Sequence, residues 1–578
     1  MKRMTCFLSA AFASLFLLSA QEREVRLKIV ETSDVHGNYY PYDFMQKREA
    51  AGSLARVSSF VRQERETYGD NLILLDNGDI LQGQPSVYYY NFVDTVSTHL
   101  AADMMNYMGY DAGSMGNHDI ETGRAVFDRW AGDCRFPMLG ANIVDVRSGE
   151  PHFKPYQVLE RDGVKIVVLG MITPAIPVWL SENLWAGLRF NDMEETARRW
   201  MKTIREQEKP DVVIGLFHAG QQACLLGGKY RENASVEVAR KVPGFDVVLF
   251  GHDHALECRK VVNVEGDSVL VANPANAARW VADVEIALKL KEGKVVGKET
   301  RGKLTAIEAY APDKEFMKQF ESQYEVVRQF VSKKIGTFTS TASTRPAYFG
   351  PSAFVDLIHT LQLAISGADI SLAAPLSYDT EIKEGDVTVS DMFNLYKYEN
   401  MLYTMSLTGR EVHDALEMSY SLWTNRMESA DDHLLLLRAE RRKGAEDRAA
   451  FQNFSYNFDS AVGIIYTVDV TKPAGEKVKI VSMADGTPFD MDRRYKVAVN
   501  SYRGNGGGEL LTKGAGIAQD ELKERILTST DKDLRFYLMN YIERQGVIEP
   551  RALNQWKFVP EEWTESAARR DYELLFGK

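Results

Sequence analysis

Short apolar runs alternate with segments of helical periodicity through the first half of the chain. Five runs of strand length are rich in Val, Ile and Leu, namely VRLKIVETS, NLILLDNGD, VKIVVLGMI, DVVIGLFHAG and DVVLFGHDH. Amphipathic segments such as LARVSSFVRQERE and EETARRWMKTIREQ lie between them. Apolar strands that are separated by amphipathic helices predict a layered α/β domain in which the sheet is buried on both faces.

The pattern changes after residue 310. Residues 313–334 form a highly charged run with helical periodicity, and a Ser/Thr-rich stretch follows it. A chain of 578 residues is too long for one hydrophobic core. We therefore predict an α/β domain over residues 21–310, a linker helix with a polar connector over 311–345, and an α+β domain over 346–578.

The first twenty residues are typical of a signal peptide. Lys2 and Arg3 precede an apolar stretch, which ends in the small residues Ser19 and Ala20. This stretch is too short to span a membrane. We expect cleavage near Ala20, export across the inner membrane and a periplasmic location if the source is a Gram-negative bacterium. We expect no stable membrane association of the mature chain.

Charge restricts the class of partner. The formal net charge is −12, whereas proteins that bind nucleic-acid polymers usually carry a basic surface. A small anion that is held by a local positive site, such as a metal centre, is the expected partner instead of a nucleic-acid polymer. The sequence carries no signal for the oligomeric state.

Three cysteines remain after the predicted cleavage, namely Cys134, Cys224 and Cys258. Their spacing is not of a metal-binding type. Cys224 and Cys258 each follow a segment that contains histidine, and the sequence is compatible either with a disulfide between them or with unpaired thiols.

Oxygen and nitrogen donors follow five of the strand ends. In an open α/β sheet, ligands bind beyond the carboxyl ends of the strands, so side chains from several strands can meet at one place. The candidate donors are Asp34, His36, Asp79, Asn117, His118, His218, His252 and His254. They include five of the ten histidines of the chain. The other histidines have no comparable context, and we expect them to be structural or surface residues.

Two carboxylates, an amide and several imidazoles suit a pair of divalent first-row metal ions, with zinc, manganese, cobalt and iron all admissible. Calcium or magnesium alone would not require so many histidines. One carboxylate between the two ions would bridge them. Such a centre polarises a phosphoryl group and lowers the pKa of a bound water, so that hydroxide is available as a nucleophile at neutral pH.

The segments DVHG, NGD, GNHD, a histidine after an apolar strand, and GHDH resemble the motifs of the calcineurin-like metallophosphoesterases in order and spacing. The rest of the chain is similar to the C-terminal domain of the 5′-nucleotidase family. The resemblance covers nearly the whole mature chain and implies a four-layer α/β first domain. It also implies two metal sites that share Asp79 as a bridge, the first held by Asp34, His36 and His254, and the second by Asn117, His218 and His252.

The resemblance implies a catalytic role for His118. In the family, the histidine of this motif does not bind metal; it stabilises the transition state or protonates the leaving oxygen. Many 5′-nucleotidases have an aspartate four residues after the motif asparagine, and this aspartate partners the histidine. The present chain has Glu121 there, and we expect this longer carboxylate to orient His118.

The second domain lacks GGGIR and GGDGF, which are signatures of the 5′-nucleotidase branch. It has LYKYEN, YNFDSAVGIIYTVDVTKP and NSYRGNGGGE instead, which look like those of bacterial periplasmic 2′,3′-cyclic-nucleotide 2′-phosphodiesterase/3′-nucleotidases. That resemblance implies that Tyr398 and Tyr502 sandwich the nucleobase. Stacking of this kind holds any base without reading its edge, at roughly 1–3 kcal/mol per base.

These features predict an exported enzyme that hydrolyses 2′,3′-cyclic nucleotides and 3′-nucleotides with two divalent metal ions. Two other functions stay open. A 5′-nucleotidase or nucleotide-sugar hydrolase would share the metal centre, and higher activity on 5′-AMP than on 3′-AMP would favour it. A nucleotide-binding protein with an inactive metal site would bind nucleotide without turnover.

Overall fold

The computed structural model describes residues 22–438 and 450–577. The predicted signal peptide, residues 1–20, lies outside the described residues. Every helix within the described ranges is too short or too polar to cross a lipid bilayer. Cys134, Cys224 and Cys258 are free thiols, so the disulfide that the sequence left open between Cys224 and Cys258 is not formed.

Two six-stranded sheets form the centre of the first domain. In spatial order, the first sheet consists of Lys294–Ala306, Trp280–Lys291, Glu22–Thr32, Leu72–Asp76, Ala112–Ser114 and Met138–Leu139. The second consists of Leu256–Val262, Ser268–Pro274, Val247–Phe250, Val212–His218, Val164–Ile172 and Tyr156–Arg161. One apolar cluster contains side chains from both sheets, such as Ile29 and Ile214. The two sheets are therefore packed face to face.

Helices cover the outer face of each sheet. On the first sheet, Val57 and Phe60 of one helix pack with Leu74, and on the second sheet Met201 of another helix packs with Val213. The helices of this domain are Leu54–Tyr68, Pro85–Tyr88, Leu100–Met108, Asn117–Glu121, Arg124–Asp133, Ile176–Trp179, Met193–Gln207 and Ser235–Lys241. The order of layers is helix, sheet, sheet, helix, which confirms the predicted four-layer fold class.

The strands that precede the predicted ligands run parallel to one another. In the first sheet, Glu22–Thr32 pairs in parallel with Leu72–Asp76, which pairs in parallel with Ala112–Ser114. In the second sheet, Val212–His218 pairs in parallel with Val247–Phe250. Parallel strands have their carboxyl ends at a common edge, so the loops that follow these strands lie side by side.

The link between the domains is a pair of helices, Lys314–Gln319 and Glu321–Ser332, with a break at Phe320. The Ser/Thr-rich stretch that we predicted to be a polar connector forms strands. Lys334–Phe338 pairs with two strands of the second domain, and Ala342–Ser343 pairs with a third. The β-branched and aromatic residues of this stretch favour an extended backbone that the pairing then satisfies.

The second domain mixes sheets and helices, which confirms its predicted α+β class. Its largest sheet consists, in spatial order, of Ser460–Val462, Ile370–Ala373, Arg494–Asn500, Met401–Thr408 and Ile526–Asp533. Two three-stranded sheets consist of Gly385–Thr388, Lys334–Phe338 and Val547–Ile548, and of Val478–Met483, Ile464–Asp469 and Trp556–Val559. The helices of this domain are Ala353–Ser366, Val389–Leu395, Gly409–Trp423, Ser501–Gly504, Leu522–Arg525, Leu534–Gln545 and Glu561–Phe576.

Candidate active site

The first ligand cluster joins the ends of two strands from different sheets. Asp34, His36 and His254 offer donor atoms that all lie within 4.8 Å of one another, as the ligands of one metal ion do. Nε2 of His254 is 3.1 Å from Nε2 of His36 and 3.3 Å from a carboxylate oxygen of Asp34. The three side chains surround a single point.

The second cluster is formed by Asp79, His218 and His252, whose donor atoms also lie within 4.8 Å of one another. The side-chain oxygen of Asn117 lies beside it, 2.7 Å from Nδ1 of His252 and 3.1 Å from Nε2 of His218. Asp79 also acts electrostatically on His36 of the first cluster. The structure thus brings the seven predicted metal ligands together at one edge of the sheet sandwich.

Five of these seven ligands adopt a left-handed backbone. Residues other than glycine rarely adopt this conformation, because their β-carbon then lies too close to the following carbonyl oxygen. The cost is roughly 1–2 kcal/mol per residue. The residues and their φ angles are Asp34 (50°), His36 (48°), Asp79 (56°), His252 (73°) and His254 (52°). Strained non-glycine residues that cluster in this way are typical of functional sites.

Two glycines next to the ligands are required by close contacts. A β-carbon at Gly116 would overlap a carboxylate oxygen of Asp79, and one at Gly251 would overlap a carboxylate oxygen of Asp34. Neither glycine has a positive φ angle. Glycine at these positions therefore lets the backbone of one strand end approach the carboxylate of another, which keeps the two clusters compact.

The protonation states of three ligands suit metal binding. Burial would raise the pKa of Asp34, but His254 outweighs it by hydrogen bonding and charge and lowers the pKa to about 2. Burial is likewise outweighed at Asp79, where His218 and His118 hold the pKa well below its usual value. Burial and the charge of His254 lower the pKa of His36 to about 3. Ionised carboxylates and neutral imidazoles are the forms that bind divalent cations.

The orientation of His218 leaves one nitrogen for a metal ion. Its Nδ1 donates to the backbone carbonyl of Asn77 at 2.6 Å, and its Nε2 is 3.2 Å from Asp79. Burial lowers the pKa of His218, but the charge of Asp79 outweighs it and raises the pKa to about 9. A divalent cation beside Asp79 would displace that proton, since the imidazole must be neutral to act as a ligand.

Two divalent metal ions fit this donor set. Each cluster offers three carboxylate or imidazole donors, and the second cluster also has the amide oxygen of Asn117 beside it. Such a donor set suits zinc, manganese, cobalt or iron. A centre of this kind supplies Lewis-acid activation of a phosphoryl group and of water.

His118 lies next to the clusters and is oriented by Glu121. Its Nδ1 is 2.5 Å from Oε2 of Glu121, and its side chain is 26% exposed, so its Nε2 side remains accessible. Its backbone N–H donates to Asp79 at 2.8 Å. Burial alone would lower the pKa of His118, but the carboxylates of Asp79 and Glu121 outweigh burial and raise the pKa to about 10. The predicted pairing of His118 with the longer acid is therefore present in the structure.

Tyr398 and Tyr502 lie near each other on the second domain, and both are partly buried. Burial raises the pKa of Tyr502 to about 12, and the phenol of Tyr398 contributes to that rise. The ring of Tyr502 lies against the backbone of Gly507, where a β-carbon would overlap it, and the guanidinium of Arg503 is 5.6 Å from its centroid. The backbone of Gly507 and the guanidinium of Arg503 thus both lie close to the Tyr502 ring.

Two further aromatic residues extend this group, and sequence reasoning did not assign them to the site. The ring of Tyr456 contacts Tyr502 edge-on at 6.2 Å between centroids, and Phe454 stacks on Tyr456 at 5.2 Å. Phe454 is 44% exposed. The two residues lie in the segment FSY, residues 454–456, and this pair of neighbouring aromatics is the sequence signal that could have indicated them. Aromatic residues that are partly exposed are common at binding sites.

Glu399 was also missed, although it follows Tyr398 directly. It is buried, and its Oε1 accepts from the guanidinium of Arg535 at 2.9 Å. Burial raises the pKa of Glu399 to about 7, with Arg535 opposing and Glu121 adding to the rise. Its charge also acts on His118. The second domain therefore brings a carboxyl group close to His118 and Glu121 of the first domain.

Asp119 lies inside the GNHD motif, yet the sequence did not indicate what it does. Its buried carboxylate accepts from the backbone N–H groups of Asp79 at 2.9 Å, Ile80 at 3.0 Å, Leu81 at 2.9 Å and Gly116 at 2.8 Å. These bonds fix the loop that carries Asp79 to the loop that carries Asn117. Asp119 thereby connects two ligands that are far apart in sequence.

Comparison with protein families agrees with this geometry. Residues 27–256 match the model of the calcineurin-like phosphoesterases, and residues 334–513 match that of the 5′-nucleotidase C-terminal domain. The chain is therefore a metallophosphoesterase of two domains. More particularly, it combines a calcineurin-like phosphoesterase domain with a 5′-nucleotidase C-terminal domain.

Two relatives that align with most of this chain are nucleotide hydrolases by name. A 2′,3′-cyclic-nucleotide 2′-phosphodiesterase/3′-nucleotidase of Salmonella typhimurium is 26% identical over 96% of this chain and 92% of its own length. The trifunctional nucleotide phosphoesterase protein YfkN of Bacillus subtilis is 28% identical over 93% of this chain. This chain spans only 39% of the length of that protein.

A solved structure supports the fold over nearly the whole chain. The 5′-nucleotidase precursor of Thermus thermophilus superposes with a TM-score of 0.63 at 21% identity, and the match covers 93% of this chain and 100% of the other. This likeness concerns the fold, which agrees with the two-domain architecture described above.

Proposed function

We propose that this protein hydrolyses phosphate esters of nucleosides with two divalent metal ions, and that 2′,3′-cyclic nucleotides and 3′-nucleotides are its preferred substrates. The observation that carries the proposal is the convergence of two three-residue ligand clusters beside the His118–Glu121 pair. The names of the relatives that span most of both chains support the choice of substrate.

The proposed roles follow from the contacts of each residue. Asp34, His36 and His254 would hold one metal ion, and Asn117, His218 and His252 the other, with Asp79 between them. His118 uses Nδ1 to contact Glu121, so its Nε2 is the atom that can hold a proton for the departing sugar oxygen. General acid catalysis of this kind contributes about 10²–10⁴-fold to a rate.

The second domain would hold the base. Tyr398 and Tyr502 would offer aromatic faces for a base of any identity. This arrangement favours nucleotides over phosphate esters that lack a nucleobase. The same proposal includes export through residues 1–20 and a periplasmic location in a Gram-negative source. It also states that nucleic-acid polymers and membranes are not partners.

The substrate assignment is tested by initial rates of phosphate release. The mature protein would be loaded separately with zinc, manganese and cobalt and offered 2′,3′-cyclic AMP with excess phosphatase, 3′-AMP, 5′-AMP and bis-p-nitrophenyl phosphate. We expect the cyclic and 3′ substrates to be preferred with at least one metal. Preference for 5′-AMP would support the 5′-nucleotidase alternative, and tight nucleotide binding without turnover would support a non-catalytic protein.

The base site predicts a selective effect of Tyr502→Ala. Loss of one stacking face should raise KM for nucleotides by about 5- to 150-fold, equivalent to roughly 1–3 kcal/mol, because stacking on each base has that magnitude. Turnover of bis-p-nitrophenyl phosphate should stay near its original value, and Tyr502→Phe, which keeps the ring, should behave like the unmodified protein. An equal loss on both substrates would remove Tyr502 from the base site.

A further inference from the structure

Both ring nitrogens of His252 have a polar contact, one inside the second ligand cluster and the other outside it. Its Nδ1 is directed at the oxygen of Asn117, 2.7 Å away, inside the second ligand cluster. Its Nε2 is directed away from that cluster and lies 2.6 Å from Oε1 of Glu232. A neutral imidazole has one N–H, and a carboxylate can only accept, so the contact with Glu232 places the proton on Nε2.

Glu232 is a fixed partner. It ends the strand Tyr230–Glu232, which pairs with Cys224–Leu226 in a hairpin. The side chain is 13% exposed, and its Oε2 accepts from the thiol of Cys224 at 3.5 Å. Both of its carboxylate oxygens therefore have a partner, and its Oε1 cannot turn away from His252 without the loss of these contacts.

The neighbouring residue anchors the hairpin to the body of the first domain. Arg231 donates to both carboxylate oxygens of Asp192 at 2.9 Å, and to Glu194 at 3.0 Å. Asp192 precedes the helix Met193–Gln207, which packs on the second sheet. The position of Glu232 is thus tied to a helix of the core and does not depend on the hairpin alone.

Two other rings lie against the imidazole of His252. Trp179 lies 5.5 Å from it between centroids at a tilt of 37°, and His218 lies 5.4 Å away. Rotation of the imidazole about its bond to the backbone is therefore restricted. Glu232 decides which nitrogen carries the proton, and the rings hold the plane of the imidazole.

We propose that Glu232 is a positioning residue for the second metal site, which accepts the hydrogen of Nε2 of His252 and so presents the lone pair of Nδ1 to a divalent cation. The inference rests on the proposed metal centre. The two nitrogens of His218 have the opposite roles to those of His252: Nδ1 of His218 donates to a backbone carbonyl, and its Nε2 faces the cluster. Partners of this kind keep a histidine ligand oriented, and their loss typically lowers metal affinity by 10–100-fold.

The test is a metal titration of the full mature chain in competition with a chromophoric chelator, with Co²⁺ as the probe. Two sites are expected for the unmodified protein. Glu232→Ala should weaken one of the two sites by about 10–100-fold and leave the other unchanged, because the cluster of Asp34, His36 and His254 does not contact Glu232. The visible absorption of the bound Co²⁺ should change for one of the two equivalents.

Two variants separate the hydrogen bond from other effects. Glu232→Gln keeps an oxygen that accepts from Nε2, so it should restore most of the affinity. Glu257→Ala is the matched control, since this acid follows His254 by three residues but contacts Arg259, and it should leave both sites intact. Glu232→Ala with two sites of unchanged affinity and an unchanged spectrum would overturn the proposal.

The outcome does not depend on which substrate is cleaved. A protein that binds two Co²⁺ ions but does not hydrolyse nucleotides would contradict the proposed function, and the effect of Glu232→Ala on the second site would still be measured. If Glu232→Ala fails to fold, as judged by circular dichroism, Glu232→Gln is compared with Glu232→Asp. The shorter side chain of aspartate withdraws the acceptor from His252, so Glu232→Asp should then weaken the second site relative to Glu232→Gln.

Discussion

Replacement of His118 by alanine is expected to lower kcat on 2′,3′-cyclic AMP by about 10²–10⁴-fold, while the protein still binds two metal ions. The backbone N–H of residue 118 donates to Asp79, and an alanine keeps that bond. The side chain bonds Glu121 through Nδ1. The substitution therefore removes the imidazole without a direct change in the ligand set.

The measurement combines steady-state rates with metal content by mass spectrometry. His152→Ala is the matched control, because this histidine of the same domain contacts Asp128 at 2.8 Å and not the ligand clusters. Glu121→Gln should lose less activity than His118→Ala, since the amide oxygen can still accept from Nδ1. Loss of metal together with activity in His118→Ala would contradict the assigned role and would make His118 part of the ligand set.

Replacement of Arg535 by methionine is expected to destabilise the second domain by about 3–5 kcal/mol, because it leaves the buried carboxyl group of Glu399 without its partner. Arg535 is fully buried and donates to Glu399 at 2.9 Å. It also donates to the carbonyl oxygens of Tyr396 at 3.0 Å and Lys397 at 2.7 Å. Its guanidinium lies 4.1 Å from the centroid of Phe393.

This arginine holds the segment that carries Tyr398, so the variant should also bind nucleotides more weakly. Denaturant unfolding that is followed by intrinsic fluorescence measures the stability, and KM for 3′-AMP measures the binding. Arg328→Met is the control, since Arg328 forms a solvent-exposed pair with Glu325, and such pairs contribute little. The double variant Arg535→Met/Glu399→Leu should regain part of the lost stability, because it no longer leaves an unpaired carboxylate. An unchanged unfolding midpoint in Arg535→Met would contradict this account.

Local signals in the sequence indicate that the ligand residues meet at one place, and the family resemblance divides them into two clusters. Each predicted ligand follows or ends a short apolar run, and parallel strands bring their carboxyl ends to one edge whatever the length of the connections between them. Asp34 and His252 are 218 residues apart, and yet the backbone N–H of His252 donates to Asp34 at 3.1 Å. The rule of parallel strands brings the ligands of each sheet together. The face-to-face packing of the two sheets, which the rule does not predict, then places His252 beside Asp34.

The left-handed backbone of five ligands was not predictable from residue type. Aspartate and histidine adopt positive φ angles only occasionally, and the contacts that enforce the angle come from other strand ends. The backbone N–H of His36 donates to the carbonyl oxygen of Asp79 at 2.9 Å, and the N–H of Asp34 donates to that of Gly78 at 2.9 Å. Such bonds exist only once the two loops have met.

Sequence by itself determined the fold class of both domains, the edge of the sandwich at which the ligands meet, and the pairing of His118 with Glu121. The α/β and α+β classes depend on hydrophobic periodicity, whereas the four-layer arrangement and the pairing of His118 with Glu121 were implied by the resemblance to the metallophosphoesterase and 5′-nucleotidase families. Tertiary structure alone decided that Glu232 partners His252 and that Asp119 joins the loops of Asp79 and Asn117. It alone decided that Glu399 of the second domain, paired with Arg535, lies near His118 and Glu121. No local sequence pattern identifies the partner of a buried carboxylate, because its free energy depends on which donor the folded structure places beside it.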